Sequence, residues 1–69
     1  MDMMPIQSSH IVEIGYDANT SVLRLHFNSG GIYEYDGVEL NEFVGLSEAS
    51  SIGGHFHKYI KPHHKARRV

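Results

Sequence analysis

Residues 22–36 read VLRLHFNSGGIYEYD, and the fold turns on how this stretch is read. Leu23, Leu25 and Phe27 occupy alternate positions, and so do Tyr33 and Tyr35 beyond the break. Successive strand residues point to opposite faces, so alternation on both sides of a short glycine-bearing break predicts a β-hairpin. Asn28-Ser29-Gly30 fits a three-residue loop whose last position is left-handed, a conformation glycine adopts without steric cost. Phe27 then opposes Gly31, Leu25 opposes Tyr33, Leu23 opposes Tyr35 and Arg24 opposes Glu34.

Working toward the N-terminus, Ser8 to Tyr16 also alternates. His10, Val12, Ile14 and Tyr16 share the more apolar face, which is placed inward. Asp17-Ala18-Asn19-Thr20 has turn chemistry, because Asp and Asn bond their own backbone. A four-residue loop there pairs Tyr16 with Ser21, so that Ile14 faces Leu23, Val12 faces Leu25 and Glu13 faces Arg24. The inner face then carries Val12, Ile14, Leu23, Leu25, Phe27, Tyr33 and Tyr35, and the outer face a Glu13–Arg24–Glu34 row. A slip of one residue in either hairpin would bury those charges, so the register is well specified. Met1 to Gln7 holds Pro5 and no periodicity and is expected to be a flexible leader.

Toward the C-terminus the period changes. Leu40, Phe43 and Val44 stand at i, i+3 and i+4, one face of a helix over 38–46, with Glu39 and Glu42 near the start, where the helix dipole favours acids. Ser47 or Ser50 is placed to cap a second helix. Its stripe is Ile52, Phe56, Tyr59 and Ile60, and Gly53-Gly54 inside it costs about 1 kcal/mol per glycine relative to alanine. Such a cost points to close backbone approach. Pro62 disfavours helix at Lys61 and ends the element. A sheet with one apolar face needs a cover. The predicted architecture is α+β: a three-stranded antiparallel β-meander with two short helices packed on one face, residues 8–61, followed by a basic tail, 62–69.

Sixty-nine residues make one domain. A chain this short buries only about 60% of the surface its unfolded form exposes, so self-association would add buried area. It has no cysteine, and neither disulfide nor thiolate site is available. No apolar run approaches the roughly 20 residues of a membrane helix, and MDMMPIQSS has neither the basic start nor the apolar stretch of a secretory signal. The cytoplasm is the expected compartment. The formal net charge of -2 hides an asymmetry. Residues 1–54 hold all eight acids and Arg24 alone, while 55–69 hold Lys58, Lys61, Lys65, Arg67 and Arg68 with no acid. A basic end on an acidic body suits an anionic partner such as RNA, or folds back on its own body, or is simply solvated.

The chemistry-bearing motifs are few. Tyr33 and Tyr35, at i and i+2 on one strand face, form a base-stacking surface if exposed. Beside Leu23 and Leu25 they belong to the core, with their hydroxyls at the sheet edge. His55 and His57 lie about 200° apart on a helix, and His63-His64 has no third ligand, so no metal and no cofactor are assigned. No nucleophile elbow and no phosphate-cradling glycine loop is present, and neither an enzyme nor a small-molecule substrate is expected. Lys58, Lys61, Lys65, Arg67 and Arg68 form the best electrostatic site, with Lys58 and Lys61 sharing a helical face. Phosphate contacts of this kind would be salt-sensitive and blind to sequence.

The strings SSHIVEIGYD, LRLHFNSGGIYEY and ASSIGGHFHKYI together resemble the KTSC domain, a family found as a C-terminal extension of some lysyl-tRNA synthetases and as small bacterial proteins. Ser9, Gly15, Tyr16, Asp17, Tyr33, Tyr35, Ser51, Gly53 and Phe56 carry the likeness, which covers residues 8–61. His57 stands where the family pattern has asparagine, and the tail lies outside the likeness. The resemblance implies RNA binding through attachment to a tRNA enzyme. Two functions follow: a non-enzymatic RNA-binding module using the five C-terminal cations with Tyr33 and Tyr35, or a protein-interaction or homodimerisation module joined through a sheet edge or the Ser50–Gly54 backbone.

Overall fold

The computed structural model describes residues 1–69. The chain runs β1 (Met3–Pro5), β2 (Ile11–Asp17), β3 (Val22–Phe27), β4 (Ile32–Tyr35), α1 (Leu40–Ser47) and α2 (Ile52–His55). A π-helical turn, Phe56–Ile60, a 3-10 turn, Lys61–His63, and β5 (Ala66–Arg68) complete it. No helix is long and apolar enough to cross a membrane.

The second hairpin has the expected register: Leu23 pairs with Tyr35, Arg24 with Glu34 and Leu25 with Tyr33. Its loop closes with the Gly30 N–H donating to Phe27 O at 2.9 Å, Gly30 having φ of 102°. The first hairpin is shifted by two residues. Tyr16 pairs with Leu23 and Asp17 with Val22, so the loop is residues 18–21 rather than 17–20. Ser21 takes the left-handed position, φ 57°, and the Asp17 carboxylate accepts from the Asn19 N–H at 2.9 Å. A shift of two keeps every side chain on its face, so Ile14, Leu23 and Leu25 remain inside.

Nearer the start of β2 the expected alternation fails. A bulge between Ile11 and Glu13 turns Ile11 into the core, 1% exposed, and Val12 outward, 40% exposed. The cause is local: the Ser8 hydroxyl oxygen accepts from both the His10 and Ile11 N–H groups at 3.3 Å, and the Asn28 N–H donates to His10 O at 2.7 Å. Those bonds fix the entry of the strand and leave one residue over. The bulge also changes the outer row. Glu13 lies opposite His26, with its carboxylate 3.0 Å from the ring, and not opposite Arg24.

The sheet has five strands in the order β1-β2-β3-β4-β5, all antiparallel, where three were expected. The segment read as a leader is β1, pairing Met3 with Gly15 and Pro5 with Glu13. The segment read as a tail is β5, pairing Tyr33 with Arg68 and Tyr35 with Ala66. Three-residue strands are too short to show a period, and Pro5 is tolerated because β1 lies at an edge. Gly15 makes room for β1: a Cβ there would stand 2.5 Å from Met3 Sδ and 3.0 Å from the Asp2 carbonyl.

The helical layer covers the face that carries Leu23, Leu25 and Tyr35. Nine buried residues form the core: Ile11, Ile14, Leu23, Leu25, Tyr35, Val38, Leu46, Phe56 and Ile60. In α1 the inward residues are Phe43 and Leu46, whereas Leu40 and Val44 are exposed. The rotation follows from Tyr16, whose ring stacks on Phe43 at 4.6 Å and whose hydroxyl donates to Val38 O. The cap is neither Ser47 nor Ser50 but the next residue, Ser51, which accepts from the Gly54 N–H at 3.3 Å. Beyond α2 the backbone widens into the π turn. Its larger count of residues per turn keeps Phe56 and Ile60 inward at a spacing of four. The same widening carries Tyr59 out of the apolar stripe, to 51% exposure.

Candidate functional site

Of the residues singled out in the sequence, Tyr35 and Arg67 are already engaged within the fold. Tyr35 is 5% exposed, with its ring edge-on to Phe56 at 5.1 Å, and burial, aided by neighbouring Tyr33, pushes its hydroxyl pKa up. It offers no face for a base. Tyr33 is half-buried, edge-on to Phe27 at 5.7 Å, with the Arg68 guanidinium 5.9 Å from its ring centre. Tyr35 is therefore core, and Tyr33 packs against the core with only part of its ring exposed, so the two do not form an open stacking platform. The pair faces the helical layer because the second hairpin puts it level with Leu23 and Leu25.

Arg67 binds the protein's own acids. It donates to Asp36 at 2.7 and 3.1 Å and to Glu34 at 3.0 Å, and Glu34 also accepts from the Arg24 Nε–H at 2.9 Å. Glu34 is almost wholly buried on the outer face of the sheet, between two guanidinium groups. Its pKa is lowered, first by the Arg24 hydrogen bond, against the opposing effect of burial, and further by Arg67. The Arg67 hydrogen bond likewise holds Asp36 low, and that bond raises Arg67 in turn. His64 fastens the same segment to α1. Its ring nitrogens lie 2.9 Å from Asp36 O and 2.7 Å from the Glu42 carboxylate. Burial pushes Glu42 up, but the bonds from His64 and the Glu39 N–H outweigh it and leave its pKa lowered.

Lys58, Lys61, Lys65 and Arg68 remain. All four are exposed, and none stands within ion-pair distance of a carboxylate. Lys58 Nζ lies 5.3 Å from the centre of the Tyr59 ring, and the His55 imidazole packs against the same ring at 4.7 Å. Tyr59 is thus an exposed aromatic beside one cation, Lys58. The helical stripe placed it in the core, and only the π turn, which leaves no mark in hydrophobic periodicity, brings it out. Lys61 begins the 3-10 turn while Lys58 lies in the π turn, so the regular α-helix expected to carry both is absent there.

Two adjoining hollows lie at the other end of the second helical segment. The first, about 390 Å³, is framed by Ser8, Ser9 and His10 on one side and by Ser50–Gly54 and His57 on the other. The second, about 450 Å³, shares Ser9, His10 and His57 and adds Phe27, Asn28 and Ser29. No carboxylate lines either one. Here Ser9, read in the sequence only as part of a resemblance, meets Ser51 and Gly53, from the stretch read as a close backbone approach. Chain positions more than 40 residues apart give no local signal of such a meeting.

The KTSC domain family model matches residues 7–64. An uncharacterized protein of Stutzerimonas stutzeri is 38% identical over 64 residues, which take in 93% of this chain and 90% of that one. A lysine–tRNA ligase of a Nostoc species is 42% identical over 63 residues, 91% of this chain but 11% of the ligase. A ligase of Trichormus variabilis matches over 10% of its own length. The chain therefore spans only about a tenth of these ligases. Among solved structures, a KTSC domain protein of Yersinia pestis has a TM-score of 0.95 at 32% identity, covering 99% of this chain and 96% of that one.

Proposed function

This chain belongs to the KTSC domain family, and from that premise we propose that it is a small RNA-binding module that holds phosphates with Lys58, Lys61, Lys65 and Arg68. The observation that carries the proposal is the division of the C-terminal cations. Arg67 is taken up by Glu34 and Asp36, while the other four have no carboxylate partner. On a chain with a formal charge of -2, four unpaired cations within its last twelve residues give this end a positive field for an approaching polyanion. Tyr59, exposed beside Lys58, supplies the aromatic face that Tyr33 and Tyr35 do not. The relatives that act on tRNA, the lysine–tRNA ligases, support the choice of RNA over other polyanions. The cytoplasm is the compartment this reading assigns.

The test is a titration of a labelled tRNA and of a single-stranded oligoribonucleotide, followed by fluorescence anisotropy at several salt concentrations. Four phosphate contacts give a log–log salt slope of about -2.8 for a single strand to about -3.6 for a duplex, or about a 50- to 150-fold loss between 50 and 200 mM salt. The Lys58→Gln/Lys61→Gln variant should lose about 1.4 to 1.8 of that slope, and Arg67→Gln should not steepen or flatten it comparably. Binding that is indifferent to salt, or equally strong without the two lysines, overturns the proposal.

A further inference from the structure

We propose that the cleft between the Ser8–His10 bend and the Ser51–Gly54 turn is a site for one unpaired nucleotide. The inference rests on the RNA reading for its biological context, though not for its geometry. The two joined hollows, about 390 and 450 Å³, fall in the range of small-ligand sites. Ser8, Ser51 and Asn28 in the lining are bonded within the fold, but the exposed Ser9 and Ser50 hydroxyls and the His10 and His57 rings make no side-chain hydrogen bond and are open to a ligand. His10 and His57 line both hollows, and Phe27 lines the second, so flat rings stand beside hydroxyl and amide donors. That combination fits a planar heterocycle, stacked on imidazole or phenyl and bonded at its edges. The lack of carboxylates in the lining admits an attached phosphate. His57 is also the chain neighbour of Lys58, one of the cations assigned to phosphates.

Gly53 points the same way. Its φ is not in the left-handed range, and a Cβ there would meet Ser8 Oγ at 3.4 Å, an ordinary contact. The fold could therefore accept alanine, at a gain in helix propensity. A residue that the protein's own packing does not require to be glycine, and that lies in the wall of the cleft, keeps that wall low for something else.

The experiment is a 15N-resolved NMR titration of the full chain with AMP and CMP, with ribose 5-phosphate and inorganic phosphate as base-free probes, run beside the RNA titration. The mononucleotides should shift the amides of Ser9, His10, Gly53 and His57, and the base-free probes should bind far more weakly. His57→Ala should weaken AMP about 5- to 150-fold, the range for losing one stacking contact. Gly53→Ala should weaken it as well while the melting temperature holds or rises, an outcome a purely structural glycine would not give. The inference is overturned if inorganic phosphate alone reproduces the shifts at equal affinity. It is also overturned if Gly53→Ala folds and binds unchanged, or if RNA binds with the cleft amides unmoved. Mononucleotide binding in a chain that ignores RNA would support the cleft and refute the RNA reading.

Discussion

Placing threonine at either of two adjacent positions tests the bulge that shapes both the core and the cleft. Ile11 is 1% exposed and Val12 is 40% exposed. A regular ladder would reverse them. Ile11→Thr removes apolar carbon worth about 0.8 kcal/mol per methylene and leaves a buried hydroxyl whose missing partner costs about 1–3 kcal/mol. The sum is about 2–4 kcal/mol. A chain of this length has about 3.5–10 kcal/mol of stability in all, so the substitution removes a large share of it. Each kcal/mol moves the midpoint of a small domain by about 4–8 °C, giving a fall of roughly 10–30 °C. Val12→Thr keeps β-branching on a solvated surface and should stay within about 0.5 kcal/mol, or roughly 4 °C. Thermal unfolding followed by far-ultraviolet circular dichroism reads both. If Val12→Thr is the more damaging, β2 has no bulge, and the placement of His10 at the cleft has to be abandoned with it.

Acid should loosen the molecule. Glu34, Asp36 and Glu42 all have pKa values below their ordinary ones in the folded chain, so the unfolded chain binds more protons in that window. Their contribution is complete above the carboxylate range and is lost as pH falls through it. A melting temperature that stayed level or rose from pH 6 to pH 3 would contradict this. Arg67→Gln should free β5 without unfolding the rest. Hydrogen exchange should quicken at the Asp36 and Val69 amides, which bond Lys65 O and Ile32 O across the β4–β5 seam, and not at Leu23 or Leu25. Tyr16→Phe removes the hydroxyl that donates to Val38 O and should cost about 0.5–1.5 kcal/mol in chemical denaturation, with the ring stack on Phe43 retained.

The hairpin was legible because its information is local. Alternation and one glycine loop fixed every pair between β3 and β4, and a two-residue error in the first loop did no harm because parity survives it. What stayed hidden depends on partners distant in sequence. Periodicity places Val12 inward, but two bonds from backbone N–H groups to the Ser8 hydroxyl, invisible to periodicity, displace the strand by a residue and turn it outward. The two outer strands are too short to alternate. Arg67 looked like a ligand for phosphate because Glu34 and Asp36, more than 30 positions away, give no local hint that they lie across from it. The exposure of Tyr59 is hidden for the same kind of reason, since a widened helical turn presents it where uniform α-helix would bury it. The cations themselves were legible, and the cleft was not.

The ribbon of strands is bounded on both sides by pieces of the chain's own extremities. β1 seals the flank of β2 and β5 seals the flank of β4. Each is three residues long, one ends in proline and the other in two arginines, features that discourage a stranger's backbone from docking. Trimming the molecule back to its inner meander would strip both guards at once and bare two longer rows of unpaired amides and carbonyls. The margins are thus a safeguard against sticking to neighbours, and a shortened version made for convenience would be the version most apt to clump.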